Sequence, residues 1–203
     1  MKLININDGF DQQKLINFCK HALNDPSMPA AANMDIIDWQ NKSNTLLHSI
    51  FIQKRFTTEN RAGYILLEDD GEYVAGGGIN QFATDPNICA TSTRSYTIPS
   101  HRSKHYHGDL IVPMQIELAK TFGYKSLIWT FDEYNLKARD YFIKFSNGSL
   151  KTIGRKPAES LCNWVTLDDP IYIYYTRQWA LYKHLDESYH DNFIKSMADI
   201  RCD

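Results

Sequence analysis

Ile98-Pro99-Ser100-His101-Arg102-Ser103-Lys104-His105-Tyr106-His107-Gly108-Asp109, followed by a helical stretch that runs out at Thr121-Phe122-Gly123-Tyr124-Lys125-Ser126-Leu127, is the part of the 203-residue chain on which the fold turns. The first segment is a loop rich in basic and imidazole groups. The second is a helix over 110–122, with Ile111, Met114, Leu118 and Phe122 spaced along one face. Gly123 stands where a helix closes in the left-handed conformation, and 126–131 then reads as a buried strand. A loop that opens directly into a helix presents the unpaired N–H groups of the first turn, and those groups together with the helix dipole favour an anion. Arg102 and Lys104 add positive charge, and Gly108 lets the backbone approach a ligand closely. The bland alternative is a solvated basic loop.

Upstream of this loop the pattern is β-rich. Residues 64–68 and 72–82 form two strand-like runs joined by Asp69-Asp70-Gly71, where Asp-Gly supplies the positive φ angles of a tight hairpin. Gly76, Gly77 and Gly78 inside the second run mark either a bulge or the close approach of another backbone or a ligand. A third strand, 88–98, follows a turn at Thr84-Asp85-Pro86-Asn87. Ahead of the hairpin, 1–6 alternates as an edge strand does. Asp11 caps a helix carrying Leu15, Ile16, Phe18, Cys19 and Leu23, which Asp25-Pro26 ends, and 44–54 is a second helix. The connection 27–41 contains Pro29 and Trp39 and reads as irregular.

Downstream lie a helix from Asn135 to Phe145, a strand near 150–154 and an apolar run over 171–182. A tail with Leu185, Tyr189, Phe193, Met197 and Ile200 at helical spacing closes the chain. The order β-α-α-β-β-β-α-β-α-β-β predicts an α+β fold, a mixed sheet flanked by helices, in one domain spanning 1–203.

Composition narrows the function. Hydrophobic residues are 43% and charged residues 23%, which excludes wholesale disorder, collagen-like sequence and a coiled coil. A net charge of −2 gives no overall attraction to nucleic acid or an anionic membrane, so any basic site is local. Cys19, Cys89, Cys162 and Cys202 are too scattered for a disulfide framework or zinc ribbon. With no signal peptide and no apolar run of bilayer length, the expectation is a cytoplasmic protein. His101, His105, His107 and Asp109 are capable of binding a transition metal, but the interleaved Arg102 and Lys104 oppose a cation, and we expect no metal. No Gly-x-Ser-x-Gly or Gly-x-x-x-x-Gly-Lys motif is present.

The order of elements, the loop through Gly108, the junction Phe122-Gly123-Tyr124-Lys125-Ser126-Leu127 and the helix opened by Asn135-Leu136-Lys137-Ala138 together resemble the GNAT N-acyltransferase superfamily, over about 2–154. The resemblance implies an acyl-CoA N-acyltransferase-like fold with a mostly antiparallel sheet. It further implies transfer of an acetyl or other acyl group from acetyl-CoA to an amine by direct attack. The cofactor's arm is then expected between strands 88–98 and 126–131, with Arg102, Ser103, Lys104, His105, Tyr106, His107 and Gly108 at its pyrophosphate. Backbone amides of Tyr96, Thr97 and Ile98 are expected near the thioester, and Asn135 beside the arm. The acceptor is expected to be a small-molecule amine or a peptide rather than nucleic acid, with no membrane partner. The aromatic segment at 171–182 and the tail leave a homodimer open.

Two departures qualify the resemblance. The superfamily's loop reads Arg/Gln-x-x-Gly-x-Gly/Ala. Counted back from Gly123, Gly108 takes the last small position and Tyr106 the preceding glycine's. Arg102 then falls one residue early, as though the loop were one residue longer, and Pro113 lacks an N–H in the first turns. Counted from Asn135, the tyrosine that often protonates the departing thiolate falls on Phe142. The adjacent Tyr141 is the candidate acid, or else a packing residue. Strand 88–98 contains Arg94 and Tyr96 but no carboxylate. Asp132 and Glu133 are the nearest bases in sequence order, with Glu133 the chosen candidate and solvated turn residues the alternative. These departures motivate a second reading, a binding module that keeps the fold without the reaction.

Overall fold

The computed structural model describes residues 1–25, 52–82, 85–91, 95–133, 135–157 and 173–198. The connection 27–41, most of helix 44–54, and Arg94, Cys162, Ile171, Ile200 and Cys202 lie outside them; of that helix, 52–54 are seen, in a helical stretch 52–55.

Strand β1 (Lys2–Asn5) leads through a 3-10 turn to helix α1 (Gln12–Leu23). The Asp11 carboxylate accepts from Lys14 N at 3.0 Å, satisfying one of the helix's free donors. Strands β2 (Gly63–Asp69) and β3 (Glu72–Phe82) form the expected hairpin, with φ +49° at Asp70 and +82° at Gly71 and Asp69 opposite Glu72. Then come β4 (Asp85–Ala90), β5 (Tyr96–Thr97), α2 (Val112–Thr121), β6 (Ser126–Asp132), α3 (Leu136–Phe142), β7 (Gly148–Pro157), β8 (Ile173–His184) and α4 (His190–Met197).

The sheet runs in the order β1-β2-β3-β4-β6-β8-β7, with β5 paired to β3. Every pairing is antiparallel except β4 with β6, which is parallel. Strand β6 is buried on both faces: Leu127 and Trp129 pack with Val112 and Ala119 of α2, while Ile128 packs with Phe193 and Met197 of α4. No helix among the described residues is long and apolar enough to cross a membrane.

Three expectations change. The single strand 88–98 is two strands. From residue 80 to 76, β3 takes four steps while its partner takes six, from Ala90 to Tyr96, so the chain facing it carries two additional residues between β4 and β5. The glycine triplet is not a bulge, because β2 and β3 stay in register from 63 to 67; side chains approach it instead. A Cβ on Gly76 would meet Tyr64 Cε1 at 2.7 Å, one on Gly77 would meet Gln115 Nε2 at 2.7 Å, and one on Gly78 would meet the Phe56 ring. Finally, Met114 is 36% exposed, and the buried stripe of α2 is Val112, Gln115 and Ala119, preceded by Ile111. A π-turn over His107–Ile111 precedes α2 and turns the helix relative to a uniform α pattern.

Gly123 closes α2 at φ +74°, its N–H donating to Lys120 O (2.9 Å) and Tyr124 N–H to Ala119 O (3.0 Å). Gly123→Ala is expected to cost about 1 kcal/mol in urea unfolding, since Cβ disfavours that φ. An unchanged midpoint would mean that the junction relaxes to another closure.

Candidate functional site

The break between β4 and β5 creates a fork. Strands β4 and β6 pair from Ile88–Ser126 to Ala90–Ile128, and Thr91 adds a further link, its N–H and hydroxyl both donating to Ile128 O at 3.0 and 3.1 Å. Beyond it β5 follows β3, while among the described residues 129–132 of β6 pair only with β8. Gln115 reaches from α2 to the base of the fork and donates to Gly78 O (3.1 Å) and Thr91 O (3.2 Å). Ser95 Oγ also donates to Thr91 O, at 3.1 Å. The fork is thus held open by hydrogen bonds that satisfy the carbonyls it frees.

On β5, Ile98 N–H donates to Val74 O at 2.9 Å. In an antiparallel ladder the neighbouring residue then turns its N–H and C=O away from the partner, so Thr97 directs its N–H off β3 toward the fork. The Thr97 carbonyl is correspondingly free to accept from Arg102 Nε at 3.1 Å. Of the three amides expected near a thioester, Ile98's is committed to β3 and Thr97's faces outward.

The basic loop folds as a 3-10 helix, Pro99–Lys104, and its cations turn to carboxylates. Arg102 pairs with the buried carboxylate of Asp25, which also accepts from the Tyr96 hydroxyl at 3.0 Å. Burial, and then Asp25, push the Tyr96 phenol well up. Asp69, at the hairpin tip, accepts from Tyr106 Oη at 2.9 Å and lies 3.3 Å from Lys104 Nζ and 3.7 Å from His101 Nε2. The bond from Tyr106 leads in holding the Asp69 carboxyl below its ordinary range. Ser103 and His105 are exposed.

The π-turn explains the loop's apparent extra residue. A π-turn is an α-helix with one residue inserted, so the insertion lies in the helix start and not in the loop. Counted forward from Arg102, His105 then takes the first glycine's position, and it has the left-handed φ of +56° that glycine accepts most easily. His107 takes the last small position. Its ring lies edge-on to Phe142 (5.8 Å), and burial pushes its pKa down to about 4.

Helix α3 closes over this region. Phe142 stacks on Trp129 (5.9 Å) and Phe131 (5.5 Å), forming an aromatic layer beneath the helix. Tyr141 faces the start of α2, where its hydroxyl lies so close against Gly108 that a Cβ there would collide with it. Burial raises the Tyr141 phenol pKa. Asn135 caps α3, accepting from Ala138 N at 3.2 Å, and Glu133 N–H donates to Arg177 O at 3.1 Å past the end of β6. The structure thus brings Tyr141, His107 and Gly108 together, and draws Arg102 and Lys104 away to Asp25 and Asp69.

Gln115 and Trp129 had no role in the sequence reading. Gln115 had a signal, as a polar residue one turn from Ile111 in an apolar stripe. Trp129, whose Nε1 is buried without a hydrogen-bond partner among the described residues, had none.

The forked parallel pair, the sheet order and the helix rising from the β5 loop define the chain as having the GNAT acyltransferase fold. It is similar to an N-acetyltransferase from Staphylococcus aureus Mu50, with TM-score 0.60 and 17% identity over 92% of this chain and 100% of that one. A putative acetyltransferase from Salmonella typhimurium, solved with its cofactor acetyl-CoA, matches with TM-score 0.58 and 13% identity over 91% and 95%. A ribosomal-protein-alanine N-acetyltransferase from Brucella melitensis matches with TM-score 0.59 and 15% identity over 91% and 100%. No protein-family model and no curated protein sequence matches the chain.

Proposed function

We propose that the protein is an N-acyltransferase that moves an acyl group, in the simplest case acetyl, from acyl-coenzyme A to the amine of a small molecule or peptide. The observation that carries this reading is the fork between β5 and β6, with Thr97 N–H directed toward it. One further feature fits a coenzyme A arm: Trp129 Nε1 is a buried donor without a partner among the described residues, in the layer beneath α3. When bound, the coenzyme supplies an activated thioester.

The chain's own residues then divide the work. Thr97 N–H stabilises negative charge developing on the carbonyl oxygen, a backbone role that needs no special side chain. Trp129 Nε1 gives the arm a donor, Asn135 fixes the start of α3, and Glu133 takes the amine's proton directly or through water. Tyr141, packed against Gly108, is not assigned as the acid, and solvent would supply the proton that the thiol product needs.

A second reading, a ligand-binding module without transfer, is favoured by the Tyr141 hydroxyl packed on Gly108 and by the commitment of Arg102 and Lys104 to carboxylates. Titration calorimetry with acetyl-CoA in EDTA-containing buffer separates the two. Micromolar binding, followed by thiol release with a panel of amines, is the expected result. No heat at several temperatures, together with no thermal shift, would leave the binding module.

A further inference from the structure

We infer that the acyl group which this protein transfers bears a neutral hydroxyl or carboxamide, and that Gln115 and Trp129 select it at the base of the fork. The inference rests on the acyl-coenzyme A reading above and narrows its acyl group, placing the Trp129 donor at the acylated end of the arm.

Both side chains are 1% exposed, and each carries a polar atom without a hydrogen-bond partner among the described residues: Gln115 Oε1 is an acceptor and Trp129 Nε1 a donor. Buried polar atoms are rarely left so, because each forfeits the hydrogen bonds it made with water. The two belong to one place. Gln115 Nε2 bonds Thr91 O, and Thr91 N–H bonds Ile128 O, so Trp129 is the next residue of β6 past that link. They also share a layer, since Trp129 packs with Val112 and Ala119 of α2, the helix whose buried stripe includes Gln115. The Gln115 amide is fixed in orientation: its Nε2 donates to Gly78 O and Thr91 O, which turns Oε1 away from both carbonyls. Ser95 Oγ and His107 Cε1 stand beside it; a Cβ on Gly77 would meet them at 3.0 and 3.2 Å.

The direction of the arm brings the acyl group here. Thr97 N–H faces the fork, and the loop that leads to α2 follows it in the chain. Ser95 lies the other way, on the return to Thr91, about 7 Å from Thr97 for an extended chain. A thioester carbonyl at Thr97 with the diphosphate toward the loop therefore points its acyl carbons at Gln115 and Trp129. A carboxylate has no hydrogen for Gln115 Oε1, and an ammonium has no lone pair for Trp129 Nε1. A hydroxyl or a carboxamide supplies both. Entry asks Phe142, stacked on Trp129 at 5.9 Å, to shift, and its helix is lightly held, with no fully buried residue in α3.

The test is titration calorimetry of the wild type, Trp129→Phe and Gln115→Met, each first checked by thermal melt. The probes are matched acyl-coenzyme A pairs: butyryl against 3-hydroxybutyryl, and 4-methylpentanoyl against succinamoyl. Trp129→Phe keeps a ring beneath Phe142 and removes the donor. Gln115→Met keeps the length and removes the acceptor; if it does not fold, Trp129→Phe decides alone. The wild type is expected to bind the polar member of at least one pair about tenfold tighter or more, because the apolar member leaves both buried groups unpaired. Each variant is expected to cut that ratio to about threefold or less, whatever it does to the two affinities together. Equal binding of both members of each pair by the wild type overturns the inference and leaves the proposed function standing. A polar preference that survives the variants places the recognition elsewhere, and the inference falls. If the wild type binds neither coenzyme A nor any of these thioesters, the inference and the proposed function fall together.

Discussion

Gly78→Ala is expected to destabilise the protein by about 3 kcal/mol, lowering its melting temperature by roughly 8 °C for a chain of this size. The added Cβ would stand 2.6 Å from Phe56 Cζ, closer still to Cε1, and 3.0 Å from Tyr64 Cδ2. Both rings are 1% exposed, and they pack on each other at 5.2 Å, so neither can swing into solvent. Gly77→Ala offers the comparison, because its nearest neighbour, Gln115 Nε2, ends a flexible side chain. Movement there forfeits the hydrogen bonds to Gly78 O and Thr91 O and should disturb the fork more than the core. Thermal unfolding followed by circular dichroism reads both. Trimming the obstruction with Phe56→Leu in the Gly78→Ala background should cost less than the two single changes added together, since the cavity made by one receives the methyl of the other. A Gly78→Ala protein that melts within about 2 °C of wild type would show that the rings repack, and the glycine triplet would then need another explanation.

What could be read from the sequence was local. The hairpin at Asp69-Asp70-Gly71, the Asp11 cap and the Gly123 closure each depend on a few adjacent residues whose chemistry permits few conformations, and the structure shows all three. Periodicity was nearly as informative; it erred at Met114 because it assumed one uninterrupted α-helix. The π-turn did leave a trace, in the one-residue mismatch between Arg102 and Gly108 counted against Gly123, but spacing alone does not say whether an extra residue sits in a loop or a helix. The site depended on partners far apart in the chain. Arg102 meets Asp25 across 77 residues and Tyr106 meets Asp69 across 37. A count of positive charges in the loop cannot reveal that each one faces a carboxylate. Nor can helical spacing decide between Tyr141 and Phe142, because which one turns to α2 and which to the aromatic layer depends on how α3 lands on β6.

Acid should destabilise this protein early, beginning near pH 6.5, before its carboxylates titrate. His107 is held neutral by burial, with its pKa down at about 4, and burial likewise lowers that of His184. His184 sits 2.8 Å from the buried Ser126 hydroxyl and 3.0 Å from His190 Nδ1, with Glu187 nearby opposing part of the shift. Both histidines bind a proton more readily when the chain is unfolded. Their contribution is therefore fully present above pH 6.5 and declines as the pH falls, and that of His107 is exhausted near pH 4. For His107 the difference corresponds to on the order of 2–3 kcal/mol, toward the lower figure because its ring keeps some contact with water. Carboxylates held low, such as Asp69 and Asp85, lose their contribution only as the pH falls further, through their own depressed values. Urea unfolding from pH 7 to pH 4 reads the slope directly. His107→Gln, close in volume and without a charge to gain, is expected to flatten most of it, and adding His184→Gln should remove the remainder. If the single variant loses stability between pH 6.5 and 4 as steeply as wild type, His107 is protonated in the folded protein. The Phe142 layer would then have to accommodate a charge beside the fork, and His107 would become a further cation available to an anion at Gly108.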